Sequence, residues 1–358
     1  MDKIAQKKEL LQRISAMEGD TFKYNEAAIL EAYKKQTENT SSVAIKILSI
    51  FGGLLAVLFF LGFLALAGLY DSESGLLIFG SLFIIAAIVI DKKISKLIMD
   101  TISIALYSLG FLVLGFGLSQ LRIDDQYMAL IFMAIALAAL LTTPNYIIAF
   151  TSTVLISACL LYIIISNEAF NFIHLYLAGI AALLVYVFLN EAKLLTYNRA
   201  LATLYNPLKV ALIFSLLLGL LVFNRAMGMV FSIRFLWLSS VILIAAILWI
   251  MPTILNRLEV TKTSSKVFSY GATVLLLATT LFSPTLPGAF LIILLSVLVR
   301  YKTGLVIGII AFIYFIMQFY YDLFLSLLTK SILLMSSGVV FIGLYVFISK
   351  KLKSDEKL

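Results

Sequence analysis

The stretch YIIAFTSTVLISACLLYIIIS, from Tyr146 to Ser166, decides the fold, because it contains no charged side chain. A helix rises 1.5 Å per residue, so about 20 such residues cross a hydrocarbon core about 30 Å thick. The run is continuous and lacks the period-2 alternation of a barrel strand. In lipid every backbone N–H and C=O must be paired within the element, which leaves a transmembrane helix as its reading.

Working outward, comparable runs recur along the chain. The first six are Ile47 to Tyr70, Leu76 to Ile90, Leu97 to Leu118, Tyr127 to Leu141, Tyr146 to Ser166 and Phe172 to Leu189. The last six are Leu208 to Phe223, Phe235 to Met251, Val267 to Phe282, Pro287 to Val299, Gly304 to Tyr321 and Ser331 to Ser349. The fourth, seventh and tenth are the weakest by length. The sequence thus predicts an all-α, polytopic transmembrane helical bundle of about twelve spans. Composition agrees: 62% of the residues are hydrophobic and 13% charged, with mean hydropathy +1.08, too little polar surface for a water-facing fold.

Loop charge predicts orientation, since Lys and Arg are retained on the cytoplasmic side. With the N-terminus inside, the inner loops hold Lys92, Lys93, Lys96, Lys193, Arg199, Lys209, Arg257, Lys262, Lys266, Arg300 and Lys302. The outer loops hold only Arg122, Arg225, Arg234 and Lys330, together with Asp71, Glu73, Asp124, Asp125, Glu168 and Asp322. Both termini are expected in the cytoplasm, and Lys350, Lys351 and Lys353 after the last run agree. The +8 net charge follows from this bias and from headgroup attraction, so membrane lipid is an expected partner and nucleic acid is not.

Three segments follow: 1–45, a cytoplasmic amphipathic segment; 46–350, the transmembrane domain; and 351–358, a basic tail. In the first, Leu10, Leu11, Ile14 and Met17 share one stripe, and Asn25 can cap a second short helix. Its charge and the full length of the first apolar run argue against a secretory signal. All five prolines, Pro144, Pro207, Pro252, Pro284 and Pro287, are expected in loops or at span ends, so the sequence predicts no interrupted transport helices.

Candidate chemistry rests on few polar residues. Asp100 follows Lys96 by one turn, which reads as an interfacial pair or a functional carboxylate. His174, the single histidine, lies near Glu168 in sequence; a proton relay would use such a pair, and an incidental interfacial histidine is the plainer reading. With one His and one Cys, Cys159, neither metal site nor disulfide is expected, and no cofactor. Trp237 and Trp249 read as an aromatic belt. Gly304 and Gly308 form a GxxxG pair that admits a close helix, from this chain or from a second copy. Arg225 and Arg234 bracket an outer loop and suit phosphate headgroups, a bound anion or an acidic partner segment.

The most distinctive string is Tyr320, Tyr321, Asp322, Leu323, Ser326, Leu327, Leu328, Lys330, Ser331, Leu333, Leu334 and Gly338. Its aromatic and charged residues, with Arg225 and Arg234, are the candidate partner or headgroup contacts. The string resembles the C-terminal end of an uncharacterised family of bacterial polytopic membrane proteins, often encoded beside GDYXXLXY-motif membrane proteins. That resemblance implies a multi-span protein of the bacterial inner membrane and a partner of that type. It brings no catalytic residue. Twelve spans divided by Glu191 to Pro207 also resemble a major facilitator transporter, whose charged loop between spans two and three is echoed by Asp91, Lys92, Lys93 and Lys96. Against that resemblance, Ala87 and Ile94 stand where its glycines belong.

No Asp, Glu, Lys, Arg, His, Asn or Gln is expected near the middle of a span. Ionisable residues in a membrane usually mark a transport path, so this pattern points to a non-enzymatic component acting with a membrane partner. A carrier of an apolar or lipid-like substrate is the alternative. A lipid-modifying enzyme would need convergent acid, base or metal ligands, and Glu168, His174, Arg225, Arg234 and Asp322 are scattered over several loops.

Overall fold

The computed structural model describes residues 43–68, 71–93, 97–142, 146–223 and 235–322, with single positions 12, 13, 26, 29, 328, 331, 332, 335, 338, 339, 342 and 343. Among these residues every regular element is a helix. In chain order they are α1 (Val43–Leu66), α2 (Glu73–Lys93), α3 (Leu97–Gln120), α4 (Asp125–Thr142), α5 (Tyr146–Ser166), α6 (Phe172–Leu189), α7 (Glu191–Tyr197), α8 (Arg199–Leu221), α9 (Leu236–Arg257), α10 (Thr263–Ala278), α11 (Thr285–Leu298) and α12 (Lys302–Asp322). Among the described residues eight segments are long and apolar enough to cross a membrane: Glu73–Asp91, Ile102–Gln120, Asp125–Thr142, Tyr146–Ser166, Phe172–Leu189, Leu201–Leu221, Leu236–Arg257 and Lys302–Tyr321. The protein is a multi-pass membrane protein by length and composition. The span expected from Ser331 to Ser349 lies mostly outside the described residues.

Four predicted spans come out differently: α10 has 16 residues and neither it nor α1 is among the eight, and the other two are α11 and α8. Thr285–Leu298 forms a helix of 14 residues, which reaches about 21 Å and falls short of a full crossing. It is also the most enclosed helix, with Ala289, Leu291 and Leu295 at 0% exposure. The fourth is α8, which begins at Arg199 and not at Leu208. Its first two turns, RALATLYN, hold good helix formers, and burial of Tyr205 at 3% exposure fixes them to the bundle. Pro207 therefore sits inside α8, and Pro252 inside α9, contrary to the expectation that prolines mark span ends. In both cases the helix outruns the apolar stretch. Packing against neighbouring helices compensates the missing N–H, as membrane interiors allow.

The chain divides into two compact units, Met1–Ser152 and Thr153–Leu358, with the boundary inside α5 and not in the Glu191 to Pro207 segment. In the first unit, glycine sets the α2–α3 pairing. A Cβ on Gly80 would lie 2.7 Å from Leu114 N, and one on Gly110 would lie 2.9 Å from the Gly80 carbonyl oxygen. Without hydrophobic driving force between helices in lipid, such backbone-to-backbone approach supplies the van der Waals contact that holds them. Leu64, Leu76, Phe83, Leu109 and Val113 fill the space beside the seam. Tyr107 and Ser152 hydroxyls hydrogen-bond at 2.7 Å.

The core of the second unit draws on α6, α8, α9, α11 and α12, including Leu177, Leu184, Ile213, Leu216, Leu243, Ile247, Leu295 and Phe315. Gly304 and Gly308 are used here: their Cβ positions lie 2.6 Å from Ser296 Oγ and 2.9 Å from Ile293 Cγ1, so the GxxxG pair packs α12 on α11 of the same chain.

Four helices end alike. Arg122, Glu168, Glu259 and Arg300 have φ of 54°, 53°, 54° and 55°, and the following N–H donates back five positions, as in Tyr301 N to Ser296 O at 2.8 Å. Each is a Schellman-type stop made by a charged residue where glycine is usual, at a conformational cost of about 1 kcal/mol.

Candidate functional site

The polar groups of the second unit gather at two ends of its helices. At one end, His174 on α6 is buried, at 5% exposure, and its Nδ1 lies 2.6 Å from Ser239 Oγ on α9. Glu168, the expected relay partner, stands exposed on the corner after α5. Several middle-of-span hydroxyls are engaged within the bundle: Ser157 Oγ donates to Ser215 Oγ at 2.8 Å, and Tyr176 OH donates to the Ser215 carbonyl at 2.8 Å, whereas Ser240 Oγ is buried without a partner. Thr151, Thr279 and Thr280 donate to their own helices. Cys159 is buried and unbridged.

The other end holds a charge that the sequence reading placed in a loop. Lys209 lies near the middle of α8 and is buried, at 4% exposure. Its ammonium faces three rings, with Nζ 4.1 Å from the centroid of Tyr301, 4.6 Å from Tyr205 and 5.8 Å from Phe188. Each wall has a local cause. Tyr205 precedes Lys209 by one helical turn and so shares its face. Phe188 closes the last turn of α6 and meets the Tyr301 ring edge to face at 6.3 Å. Tyr301 is set by the stop at Arg300 and by its N–H bond to Ser296. Gly304 leaves room for that ring, since a Cβ there would lie 2.6 Å from Tyr301 Cδ1. Burial raises the Tyr301 phenol above its ordinary pKa, so a neutral ring faces the ammonium.

Around this chamber several donors are unused. Among the described residues the Lys209 ammonium makes no hydrogen bond or ion pair, and the buried Tyr205 hydroxyl and Ser296 Oγ have no hydrogen-bond partner. Glu191, at the start of α7, comes close enough to act on both the Tyr205 phenol and the Lys209 ammonium. The Arg257 guanidinium caps the Leu298 carbonyl at the end of α11. Aromatic faces attract a buried cation, by roughly 2 kcal/mol when desolvated, yet they supply no oxygen acceptor to its N–H groups. The arrangement is fit to receive an acceptor.

Lys209 thus corrects the expectation of a charge-free span interior. The signal available in sequence was Tyr205 one turn before it, and it was obscured because the apolar run begins only at Leu208. The predicted site residues fare differently. Tyr320 and Tyr321 end α12 with their rings 5.7 Å apart, and Tyr321 is 75% exposed. Asp322 is the last residue of α12. The side chains of Asp322 and Asp100, and residues Lys96, Arg225, Arg234 and Lys330, lie outside what the structure describes. Among the described residues no three His, Cys, Asp or Glu side chains cluster as metal ligands.

A helical bundle with this lipid-facing exterior is an integral membrane protein. Over residues 43–351 the chain matches the family described as Domain of unknown function (DUF4401), and it belongs to that uncharacterised family. No curated protein and no solved structure matches it.

Proposed function

We propose that the chain is a non-enzymatic component of the bacterial cytoplasmic membrane that recognises a ligand at the Lys209 chamber and works beside a partner membrane protein of the GDYXXLXY type. The observation that supports a binding role is the chamber itself. Burying an ammonium costs several kcal/mol, so it persists where the charge is used. Covalent catalysis would pair a nucleophile with a base inside hydrogen-bond reach, whereas Ser296 Oγ has no hydrogen-bond partner. Rings, hydroxyls and a set-back carboxylate suit recognition. In this reading the N-terminus and the chamber lie on the cytoplasmic side, and Lys209 leaves the inner-loop tally without changing its sign.

A partner helix has a place to approach. Between α6 and α9 an apolar groove of about 500 Å³ is lined by Ala178, Ala181, Ala182, Ala245 and Ala246, with Trp249 at its edge. Small side chains permit close helix contact in lipid. The same groove favours the second reading, a carrier of a lipid-like molecule. Copurification of the full chain from native membranes, followed by mass spectrometry of protein and lipid, separates them. A stoichiometric membrane-protein partner supports the component reading, and recovery of enriched lipid alone overturns it in favour of the carrier.

A further inference from the structure

We propose that the Lys209 chamber is a binding site for a single anionic oxygen group, a phosphate monoester or a carboxylate, and that Glu191 is a built-in competitor at its edge. The inference rests on the binding role proposed for the chamber and names the chemistry of what binds. Three groups lead to it. The Lys209 ammonium carries a positive charge and three N–H donors with only rings around it. The Tyr205 hydroxyl and Ser296 Oγ are both buried and unpartnered. Tyr301 joins them: its ring lies under the ammonium at 4.1 Å, and its backbone is bonded to Ser296.

Buried polar groups are hydrogen-bonded in nine cases out of ten or better, so three idle donors beside one ring are an incomplete set. What completes it must accept several hydrogen bonds at once and balance one positive charge. A water would answer the first need and not the second. A carboxylate or phosphate monoester answers both. Glu191 has the required chemistry and stands close by, where it acts on both Tyr205 and Lys209. As the first residue of a short helix joining α6 to α8, it is placed to repel or replace an incoming anion, and its charge sets how tightly one is held.

The test uses the full chain in a neutral detergent at fixed ionic strength. Thermal unfolding is followed with inorganic phosphate, with acetate, and with micelles doped with phosphatidic acid or phosphatidylcholine. The wild type is expected to shift upward with phosphatidic acid, with free phosphate or acetate, or with both, and not with phosphatidylcholine. A response to the lipid alone assigns the anion to a headgroup, and a response to the free ions assigns it to a soluble ligand. Lys209→Met should fold, because Met fills the same volume without charge, and should lose the shift. Glu191→Gln should bind at least threefold more tightly. The proposal is overturned if no anion shifts the wild type more than Lys209→Met. It is equally overturned if Glu191→Gln binds more weakly, since Glu191 and Lys209 would then serve each other. Neither outcome depends on recovering a protein partner, so this inference can fail while the partner reading stands.

Discussion

Replacing Gly80 by alanine should separate α2 from α3. The new Cβ would stand 2.7 Å from Leu114 N and 2.9 Å from both its Cα and Cβ. Comfortable carbon contacts are about 3.5–4.0 Å, so the helices must part by about 1 Å, which forfeits up to half of each contact's attraction along the seam. Overpacking of this kind costs about 1–3 kcal/mol, and the better helix propensity of alanine returns about 1 kcal/mol, leaving a net loss of about 0–2 kcal/mol, against a gain of about 1 kcal/mol where there is no clash. Gly271→Ala is the control, because nothing lies within 4 Å of its Cβ position and α10 gains the propensity alone. Gly110→Ala opens the same seam, so the double variant should lose less than the sum of the singles. Reversible unfolding in mixed micelles reads all four. If Gly80→Ala proves as stable as Gly271→Ala, glycine approach does not hold this pair and the packing argument fails.

Two further expectations concern single side chains. Ser239→Ala leaves the buried His174 ring without its 2.6 Å partner and should lower stability by about 1–3 kcal/mol in the same assay; no loss would show the pair to be idle. Glu168→Gly removes a side chain from a left-handed position at φ 53° and should raise stability by up to about 1 kcal/mol, while Glu168→Val should lower it; equal behaviour of the two would deny the stop its conformational role.

The spans were legible because hydrocarbon sets both their length and their composition. Tyr146–Ser166 and Phe172–Leu189 come out to the residue. Positions where length and apolarity part company were not legible. Nothing in a window of hydropathy separates the enclosed, short α11 from a crossing helix, since being surrounded by protein and being surrounded by lipid favour the same side chains. The start of α8 was missed for the opposite reason: Arg199, Thr203 and Asn206 interrupt the apolar run there, while Tyr205 is buried against the bundle. That one boundary moved Lys209 from a cytoplasmic loop into the bundle, and with it the candidate site. The glycines gave a partial signal. Gly304 and Gly308 suggested a close helix, but which helix depends on Ser296 and Ile293, distant from nothing in sequence rules and fixed only by the turn at Arg300.

The central claim is that Lys209 is enclosed by the second unit, and its accessibility tests that directly. In a Cys159→Ala background, single cysteines at Lys193, Lys262 and Lys209 are exposed to an impermeant maleimide in inside-out membrane vesicles. Lys193 and Lys262 are exposed in the structure and should label quickly, whereas Lys209→Cys, at a buried position, should label far more slowly until the protein is denatured. Labelling of Lys209→Cys in intact vesicles as fast as Lys193→Cys would place the residue in the loop and contradict the site.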